Sequence, residues 1–251
     1  MVDRRDNYLS LYQSDQCVYN RIIFRRGNMK NSKKYILFLN NSYSAKDNQF
    51  YLKNINGKIT VAVDGGIRFF RRNKILPDIL IGDFDSSPKL SKNYLSKIEV
   101  ITHPKIKDKT DSQLAVELSL ERGAQQLEIC GALSNSEIDH TLGNIFLLDL
   151  INKYKIKKQA NISGYIIDSS KRLLLAKNET VNLRGNPGNY ISFIPLGDNC
   201  RINFTGLAYP PPPAKKKLFV GDSLTLRNQF KNKRAKIEVS EKILIVAYHE
   251  D

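Results

Sequence analysis

The feature that most constrains this sequence is a series of short apolar runs within residues 34–130, several of them separated by helix-like patterns. The runs are YILFL (35–39), ITVAV (59–63), DILI (78–81), IEVIT (98–102) and LEIC (127–130). Such runs are typical of strands buried on both faces of a parallel sheet. Residues 111–123 have a helical pattern ending at Gly123, a suitable C-cap, and 139–155 is predicted as the last helix. This alternation predicts an open parallel-sheet α/β domain with right-handed crossovers.

After about residue 158 the pattern changes to short strand-like runs separated by turn residues such as RGNPGN (184–189). Short strands at regular spacing predict an antiparallel β-sandwich. We therefore expect an N-terminal extension at 1–33, an α/β domain at 34–157 and a β-sandwich domain at 158–251. The organised pattern begins just after Met29, so residues 1–28 are interpreted as an extension upstream of the natural start.

Composition narrows the class of protein. The 251 residues are 41% hydrophobic, which is enough for one large core or two small ones, and no apolar run approaches the roughly 18 residues of a membrane span. Three distant cysteines form neither a metal-ligand pattern nor a disulfide framework, which favours the cytoplasm. The net charge of +15 attracts polyanions, but the lysines are scattered and no recognition module is present. We expect no nucleic-acid or membrane partner.

Polar motifs follow four of the predicted strands. Asp64-Gly65-Gly66 follows the second run, GDFDS (82–86) the third, KDKTD (107–111) the fourth, and Asp139-His140 comes after the fifth. The carboxyl ends of parallel strands share one edge of a sheet, so these motifs are expected to meet there. Each motif alone is also typical of a turn or, for Thr110 and Asp111, of a helix N-cap.

Asp83 and Asp85 would point the same way on an extended segment, and like charges that close need a counter-ion. Oxygen ligands suit Mg²⁺, which commonly also binds substrate phosphates, and Lys107 and Lys109 would offset the charge of a polyphosphate. The glycines of DGG would let backbone approach a nucleotide closely. Neither GxxxxGK[ST] nor GxGxxG occurs, which excludes a P-loop enzyme and a dinucleotide-binding Rossmann domain.

The ordered motifs DGG, GDFDS, KDKTD, DHTLGN (139–144) and TGLAYP (205–210) resemble the thiamine pyrophosphokinase family over roughly residues 34–248. The resemblance implies transfer of diphosphate from ATP to the hydroxyl of thiamine, giving thiamine diphosphate and AMP. It also implies a cytoplasmic homodimer in which the vitamin lies between the α/β domain of one subunit and the sandwich of the other.

The resemblance further implies roles for individual residues. Asp83, Asp85 and Asp111 would be the catalytic residues and hold Mg²⁺. The ATP-binding residues would be Asp64, Gly65, Gly66, Lys107, Asp108, Thr110, Asp139, His140 and Asn144. Tyr209 would stack on a thiamine ring, a contact suited to a cationic heteroaromatic ligand, and Asn228 would also bind the vitamin.

Three departures from the family pattern leave alternatives open. ALSNSEI (132–138) replaces a Gly-Gly-Arg type segment, Arg227-Asn228 replaces a Ser-Asn pair, and four prolines follow Tyr209. One alternative is a diphosphokinase for another heterocyclic alcohol, such as a hydroxymethyl pterin. The other is a non-enzymatic basic binding protein on the same fold. A histidine metal site is not expected, because the spacing of His103, His140 and His249 fits none.

Overall fold

The structure is a computed structural model that describes residues 33–84, 88–106, 108–133 and 137–249. Its strands are β1 (Lys34–Phe38), β2 (Ile59–Val63), β3 (Ile79–Gly82), β4 (Glu99–Thr102), β5 (Gln126–Cys130), β6 (Ser163–Ile167), β7 (Lys171–Ala176), β8 (Glu179–Arg184), β9 (Tyr190–Pro195), β10 (Ile202–Thr205), β11 (Asn228–Gln229), β12 (Arg234–Val239) and β13 (Ile243–Tyr248). Its helices are α1 (Asn48–Asn54), α2 (Ile67–Arg72), α3 (Lys92–Leu95), α4 (Asp111–Glu121) and α5 (Ile138–Lys158), and a 3-10 turn covers Asp64–Gly66.

Ten strands form one sheet in the order β11-β9-β13-β7-β6-β5-β1-β2-β3-β4. All neighbouring pairs from β6 to β4 are parallel, and the pairs from β6 outward to β11 are antiparallel. A second sheet has the order β10-β12-β8. The predicted fold class, a parallel α/β part followed by an antiparallel sandwich, is therefore confirmed.

The central parallel strands are buried along nearly their whole length because helices cover both faces. One apolar cluster includes residues of α4, α5 and the sheet, and another joins α1 and α2 to the opposite face. On that second face Phe38 stacks on Phe69, with ring centroids 4.4 Å apart. Burial on both faces explains why these strands are continuous apolar runs rather than alternating ones.

The sandwich is formed where the antiparallel part of the large sheet faces the small sheet. Phe193 of β9 stacks on Phe204 of β10 with ring centroids 5.2 Å apart, within an apolar cluster shared by both sheets. The first strand after α5 differs from a purely antiparallel arrangement, because β6 pairs in parallel with β5 and Ser163 lies opposite Gln126. α5 acts as the crossover that makes this parallel pairing possible.

The ends of α4 determine where the polar motifs lie. Thr110 is its N-cap, and its side chain accepts a hydrogen bond from the Gln113 N–H at 3.2 Å. Gly123, with φ of +82°, follows the C-cap. Asp111 is thereby placed in the first turn, facing the carboxyl edge of the parallel strands. No helix within the described ranges is long and apolar enough to cross a bilayer.

Candidate active site

A cavity of about 440 Å³ lies at the carboxyl edge of β1, β2, β3 and β5. Carboxylates, amides, two lysines and a histidine line it. The polar lining residues are Asn40, Asp64, Asp83, Lys105, Asp108, Lys109, Thr110, Asp111, Ser112, Glu137, His140 and Asn144. Most of the motifs that follow successive strands in the sequence thus meet at one place.

Three carboxylates form the acidic cluster of this cavity, Asp64, Asp83 and Asp111. Each offers an oxygen that lies within 4.8 Å of those of the other two, and all three side chains are half-buried. They come from the end of β2, the end of β3 and the first turn of α4. Three carboxylate oxygens at this spacing are ligands that a hard divalent cation prefers.

The backbone around the acidic cluster is unusual. Asp64 has φ of +45° and Phe84 has φ of +65°, in the left-handed region that non-glycine residues rarely adopt. Gly82, at φ of +147°, lies between these segments, and a Cβ there would be 1.7 Å from Asp64 Oδ1. Only glycine therefore lets the Asp64 carboxylate lie against the end of β3.

Within the acidic cluster, the pKa of Asp64 is strongly affected by its surroundings. Burial, followed by the negative charges of Asp111 and Asp83, raises the pKa of Asp64 to about 7. The Phe84 N–H, 3.5 Å from Asp64 Oδ1, acts in the opposite direction but does not offset burial. A bound cation would supply the missing positive charge and return the pKa of Asp64 toward its ordinary range.

Hydrogen bonds fix other predicted site residues. Asn144 donates to the Ala132 carbonyl at 3.3 Å, and the Asp139 carboxylate accepts from the His140 N–H at 2.9 Å. Asp139 is exposed and does not line the cavity. Gly66 packs directly against β1, because a Cβ at this position would lie 1.9 Å from the Phe38 carbonyl oxygen. Asp85, Lys107 and residues 1–32 and 134–136, on which other predictions fall, lie outside the described residues.

Sequence reasoning missed the end of β1. Asn40 lines the cavity and accepts a hydrogen bond from Arg68 Nη1 at 2.9 Å. Asn41 donates to the carbonyls of Gly131 and Leu133, each at 2.9 Å, which ties β1 to the loop after β5. The sequence does contain a feature that could have predicted these asparagines, because LNNS (39–42) follows an apolar run as directly as the acidic motifs do. Lys105, Ser112 and Glu137 were also missed.

Lys109 is held at the cavity by α4. Its Nζ lies 2.9 Å from Glu117 Oε2, and Gln113 donates to the other oxygen of Glu117 at 2.9 Å. The Lys109 side chain is 40% exposed and lines the same cavity as the acidic cluster. Lys105 and Lys109 thus bring positive charge to the cavity that holds the acidic cluster.

The two residues predicted to bind the vitamin lie in the sandwich half and not in this cavity. Tyr209 is 62% exposed, whereas Asn228 is 6% exposed. Asn228 Oδ1 accepts from the Tyr209 N–H at 3.1 Å and from the Gln229 N–H at 2.8 Å, while Nδ2 donates to the Tyr209 carbonyl at 3.2 Å. Beside them, the Arg227 guanidinium lies 3.9 Å from the centre of the Tyr190 ring.

Comparison with known proteins places this geometry in a family. Residues 52–160 match the family model described as thiamin pyrophosphokinase, catalytic domain, and residues 178–244 match the model for its vitamin B1 binding domain. No curated protein sequence gives a match.

Solved structures agree with the family models. A thiamine pyrophosphokinase from Bacillus subtilis is 26% identical with a TM-score of 0.71, over 87% of this chain and 100% of that one. The enzyme from Geobacillus thermodenitrificans is 24% identical with a TM-score of 0.68, over 86% and 98%. The fold is also shared with the Candida albicans enzyme at 16% identity and a TM-score of 0.70, over 86% and 90%. Both halves of the chain match, and it belongs to the thiamine pyrophosphokinase family of enzymes.

Proposed function

We propose that this enzyme transfers diphosphate from ATP to the hydroxyl of thiamine, releasing thiamine diphosphate and AMP. The observation that carries the proposal is the acidic cluster at the carboxyl edge of the parallel strands, in a cavity that two lysines also line. The hydroxyl oxygen of thiamine would bond to the β-phosphorus of ATP and lose its proton, as the bond between the β-phosphorus and the oxygen that bridges it to the α-phosphorus breaks. AMP leaves with that bridging oxygen.

Asp64, Asp83 and Asp111 would hold Mg²⁺, together with Asp85 as the sequence pattern predicts. The donor set fits this ion, because it offers carboxylate oxygens alone, and burial together with the negative charge of Asp111 raises the pKa of Asp64, which a bound cation would lower. Bound there, Mg²⁺ would neutralise and orient the polyphosphate. Lys107 and Lys109 would bind phosphate oxygens, and Asp108, Thr110, His140 and Asn144 would line the nucleotide side. Catalysis would rest on positioning and charge neutralisation.

The nucleotide would occupy the predicted domain 34–157, and the vitamin would be bound by the predicted domain 158–251. Asn228 would act there as a positioning residue. Most of its hydrogen-bonding capacity is already used by the backbone at Tyr209 and Gln229, so it would hold the Tyr209 loop and thereby present the exposed ring to thiamine.

A homodimer would bring the two halves of the site together. Most of the exposed large apolar residues of the described chain fall into two groups. The first is a stripe along α5 at helical spacing, Ile138, Leu142 and Phe146; the second lies within 219–226, and its members are Phe219, Val220, Leu224 and Leu226. Soluble monomers rarely leave such groups in water, and a symmetric dimer would cover both on each subunit. Such a dimer would be expected in the cytoplasm, where the buried thiols of Cys130 and Cys200 stay reduced.

A second candidate is transfer to a different heterocyclic alcohol. The observation that favours it is Arg227, which places a positive charge next to Asn228. This charge would repel the cationic thiazolium ring of thiamine but not a neutral ring. A hydroxymethyl pterin is such a neutral alcohol.

The test is AMP release from Mg–ATP with thiamine, with a hydroxymethyl pterin, and with no acceptor. We expect AMP and thiamine diphosphate in equal amounts only when thiamine is present. Asp83→Asn should lower turnover by at least about 1,000-fold, since it removes a charge that would bind the metal in the transition state. Asp198→Asn, the same change at an exposed loop position, should leave turnover unchanged. Thiamine-independent AMP release, or AMP release with the pterin alone, would contradict the proposal.

A further inference from the structure

Two asparagines come shortly after β1, and the first of them, Asn40, lines the cavity of the acidic cluster. The backbone is held on both sides of this residue. The Leu39 N–H donates to the Cys130 carbonyl at 3.0 Å, and the Asn41 side chain donates to two carbonyls of the loop after β5. Asn40 therefore reaches the cavity from a fixed position on the sheet.

Arg68 of α2 orients the side chain of Asn40. Its Nη1 donates to Asn40 Oδ1 at 2.9 Å. Because a guanidinium carries donors only, the oxygen of the carboxamide must face Arg68, and the NH₂ group lies on the other side. Gly65 leaves room for this pair, since a Cβ there would lie 2.0 Å from Asn40 Oδ1 and 2.4 Å from Arg68 Nη1.

The hydrogen bond from Arg68 limits what Asn40 can recognise. An asparagine pairs with the edge of adenine through its oxygen and its NH₂ group together, and here Arg68 already binds the oxygen. The NH₂ group offers two donors and no acceptor. The positive charge of Arg68 polarises the carboxamide and strengthens these donors. Asn40 is therefore suited to an anionic oxygen, such as that of a phosphate, rather than to a base.

We propose that Asn40 donates a hydrogen bond to a phosphate oxygen of the nucleotide, and that Arg68 is the positioning residue that keeps the carboxamide in the donating orientation. This inference rests on the use of ATP proposed above, and it adds two residues to those that the sequence motifs imply. It also gives Gly65 a role other than close approach to the nucleotide, because only glycine leaves space for the Arg68–Asn40 pair.

Calorimetric titration of the full-length protein measures this contact without turnover. The probes are Mg–ATP and Mg–tripolyphosphate, which has the phosphates but no nucleoside. Asn40→Ala should weaken the binding of both probes by the same factor, about tenfold, which one good hydrogen bond supplies. Asn40→Asp keeps the shape of the side chain and an acceptor for Arg68 but replaces the NH₂ group by an oxygen, so it should weaken binding further. A loss for Mg–ATP alone would place Asn40 at the nucleoside and overturn the proposal.

A double-mutant cycle tests the role of Arg68. Arg68→Leu should weaken the binding of Mg–ATP by about fivefold in the wild type but not in Asn40→Ala, where no carboxamide is left to orient. Arg68→Lys can still donate to the Asn40 oxygen and should recover most of the lost affinity. Equal losses in the two backgrounds would show that Arg68 acts on the nucleotide through its own charge, contrary to the proposal.

Asn48→Ala is the matched control. Asn48 accepts a hydrogen bond from Arg72 Nη2 at 3.2 Å, so it forms the same kind of pair with the same helix, but it does not line the cavity. Asn48→Ala should leave both affinities unchanged, and thermal unfolding verifies that each variant folds. Wild-type protein that fails to bind Mg–ATP would overturn the proposed function and this inference with it. Wild-type affinity for Mg–ATP in Asn40→Ala would overturn this inference alone.

Discussion

Asp64 is the residue at which the electrostatic strain of the acidic cluster is concentrated. Its carboxylate is pressed against Gly82 by a left-handed backbone and shares its surroundings with two other carboxylates. Its pKa of about 7 means that the folded protein holds a proton there which the unfolded chain releases near pH 4. Stability without metal must therefore depend on pH.

The direction of this pH dependence follows from the difference between the folded-state and unfolded-state pKa of Asp64. Because the folded-state pKa of Asp64 is the higher one, the free energy of unfolding falls as the pH rises from about 4 to about 7, and it changes little above that range. In chelator, Asp64→Asn should be more stable than wild type at pH 8, by on the order of 1 kcal/mol after allowance for solvent screening, and by less at pH 5. Urea unfolding at both pH values measures this.

Two further measurements sharpen this prediction. Mg²⁺ should stabilise the wild type at pH 8 but not Asp64→Asn to the same extent, since the ion would bind the ionised carboxylate. Asp198→Asn serves as the control and should show no pH-dependent gain. If Asp64→Asn were less stable than wild type at pH 8 in chelator, the carboxylate would already be compensated in the folded protein.

Asn228 allows a second test at the level of one residue. Asn228→Ala would leave the N–H and carbonyl of Tyr209 without their present partners, which should lower the free energy of unfolding by about 1–3 kcal/mol. Because the variant would release the Tyr209 loop, the KM for thiamine should rise about tenfold or more while the KM for Mg–ATP stays within about twofold.

Asn203→Ala is the matched control for Asn228→Ala. Asn203 is exposed, and its side chain donates a hydrogen bond to the Glu238 carboxylate at 3.2 Å. Asn203→Ala should leave both KM values unchanged and should change the free energy of unfolding only slightly. Equal increases in the two KM values for Asn228→Ala would indicate general loosening of the fold rather than a role at the vitamin.

At the scale of elements, the end of β3 is where backbone geometry and site chemistry meet. Gly82→Ala would drive a methyl group into the Asp64 carboxylate, so the cluster could not keep its arrangement. Activity should fall at least about 100-fold, and Mg²⁺ should no longer stabilise the protein. Gly57 also has a positive φ, +71°, but a Cβ there would meet no atom within 4 Å, so Gly57→Ala should cost about 1 kcal/mol of stability and no activity.

Activity assays and thermal unfolding of both glycine variants separate the two effects. If Gly57→Ala lost as much activity as Gly82→Ala, backbone strain alone would explain the loss. If Gly82→Ala kept full activity, Asp64 would not need its present position.

Strands and helices could be predicted where their burial produces a recognisable pattern of apolar residues in the sequence. The first five strands and the two long helices lie within a few residues of the apolar runs and helical patterns that predict them, since buried parallel strands must be continuously apolar. The short helices α1 and α2 were missed, because helices of this length depend on packing rather than on a pattern of their own. Among the short runs after residue 158, residues 222–230 (DSLTLRNQF) contain only the two-residue strand β11.

The candidate site was predictable in part for the same reason. The strand-end rule brings Asp64, Asp83 and Asp111 to one edge, and the structure places them within 4.8 Å. The strand order, however, cannot be read from the sequence pattern. In the structure β1 lies between β2 and β5, and this order brings Asn40 at the end of β1 into the cavity. The left-handed backbone at Asp64 likewise follows from tertiary contacts.

At the scale of the whole molecule, the proposed dimer can be tested by complementation. Asp83→Asn damages the metal side of a site and Tyr209→Ala the vitamin side. If each site combines the two sides from different subunits, co-expressed variants should form mixed dimers with one intact site and recover about one quarter of wild-type activity. Each variant alone should be nearly inactive.

The control for this experiment is co-expression of Asp83→Asn with Asp111→Asn, which damage the same side and should restore nothing. Sedimentation measurements verify that mixed dimers form. Mixed dimers without recovered activity would show that each site lies within a single subunit.

The parallel pairing of β6 with β5 has a consequence for how this molecule can be divided. A cut after residue 157 would leave β5 without its neighbour β6 and expose an apolar strand edge, while the C-terminal half would keep β6 with the edge that pairs with β5 unpaired. The catalytic and vitamin halves therefore cannot be swapped between relatives as independent cassettes at that point. A chimaera should keep α5 and β6 from the same parent as β5, so that the parallel ladder between β5 and β6 is formed by one parent's residues and the seam falls in the turn before β7.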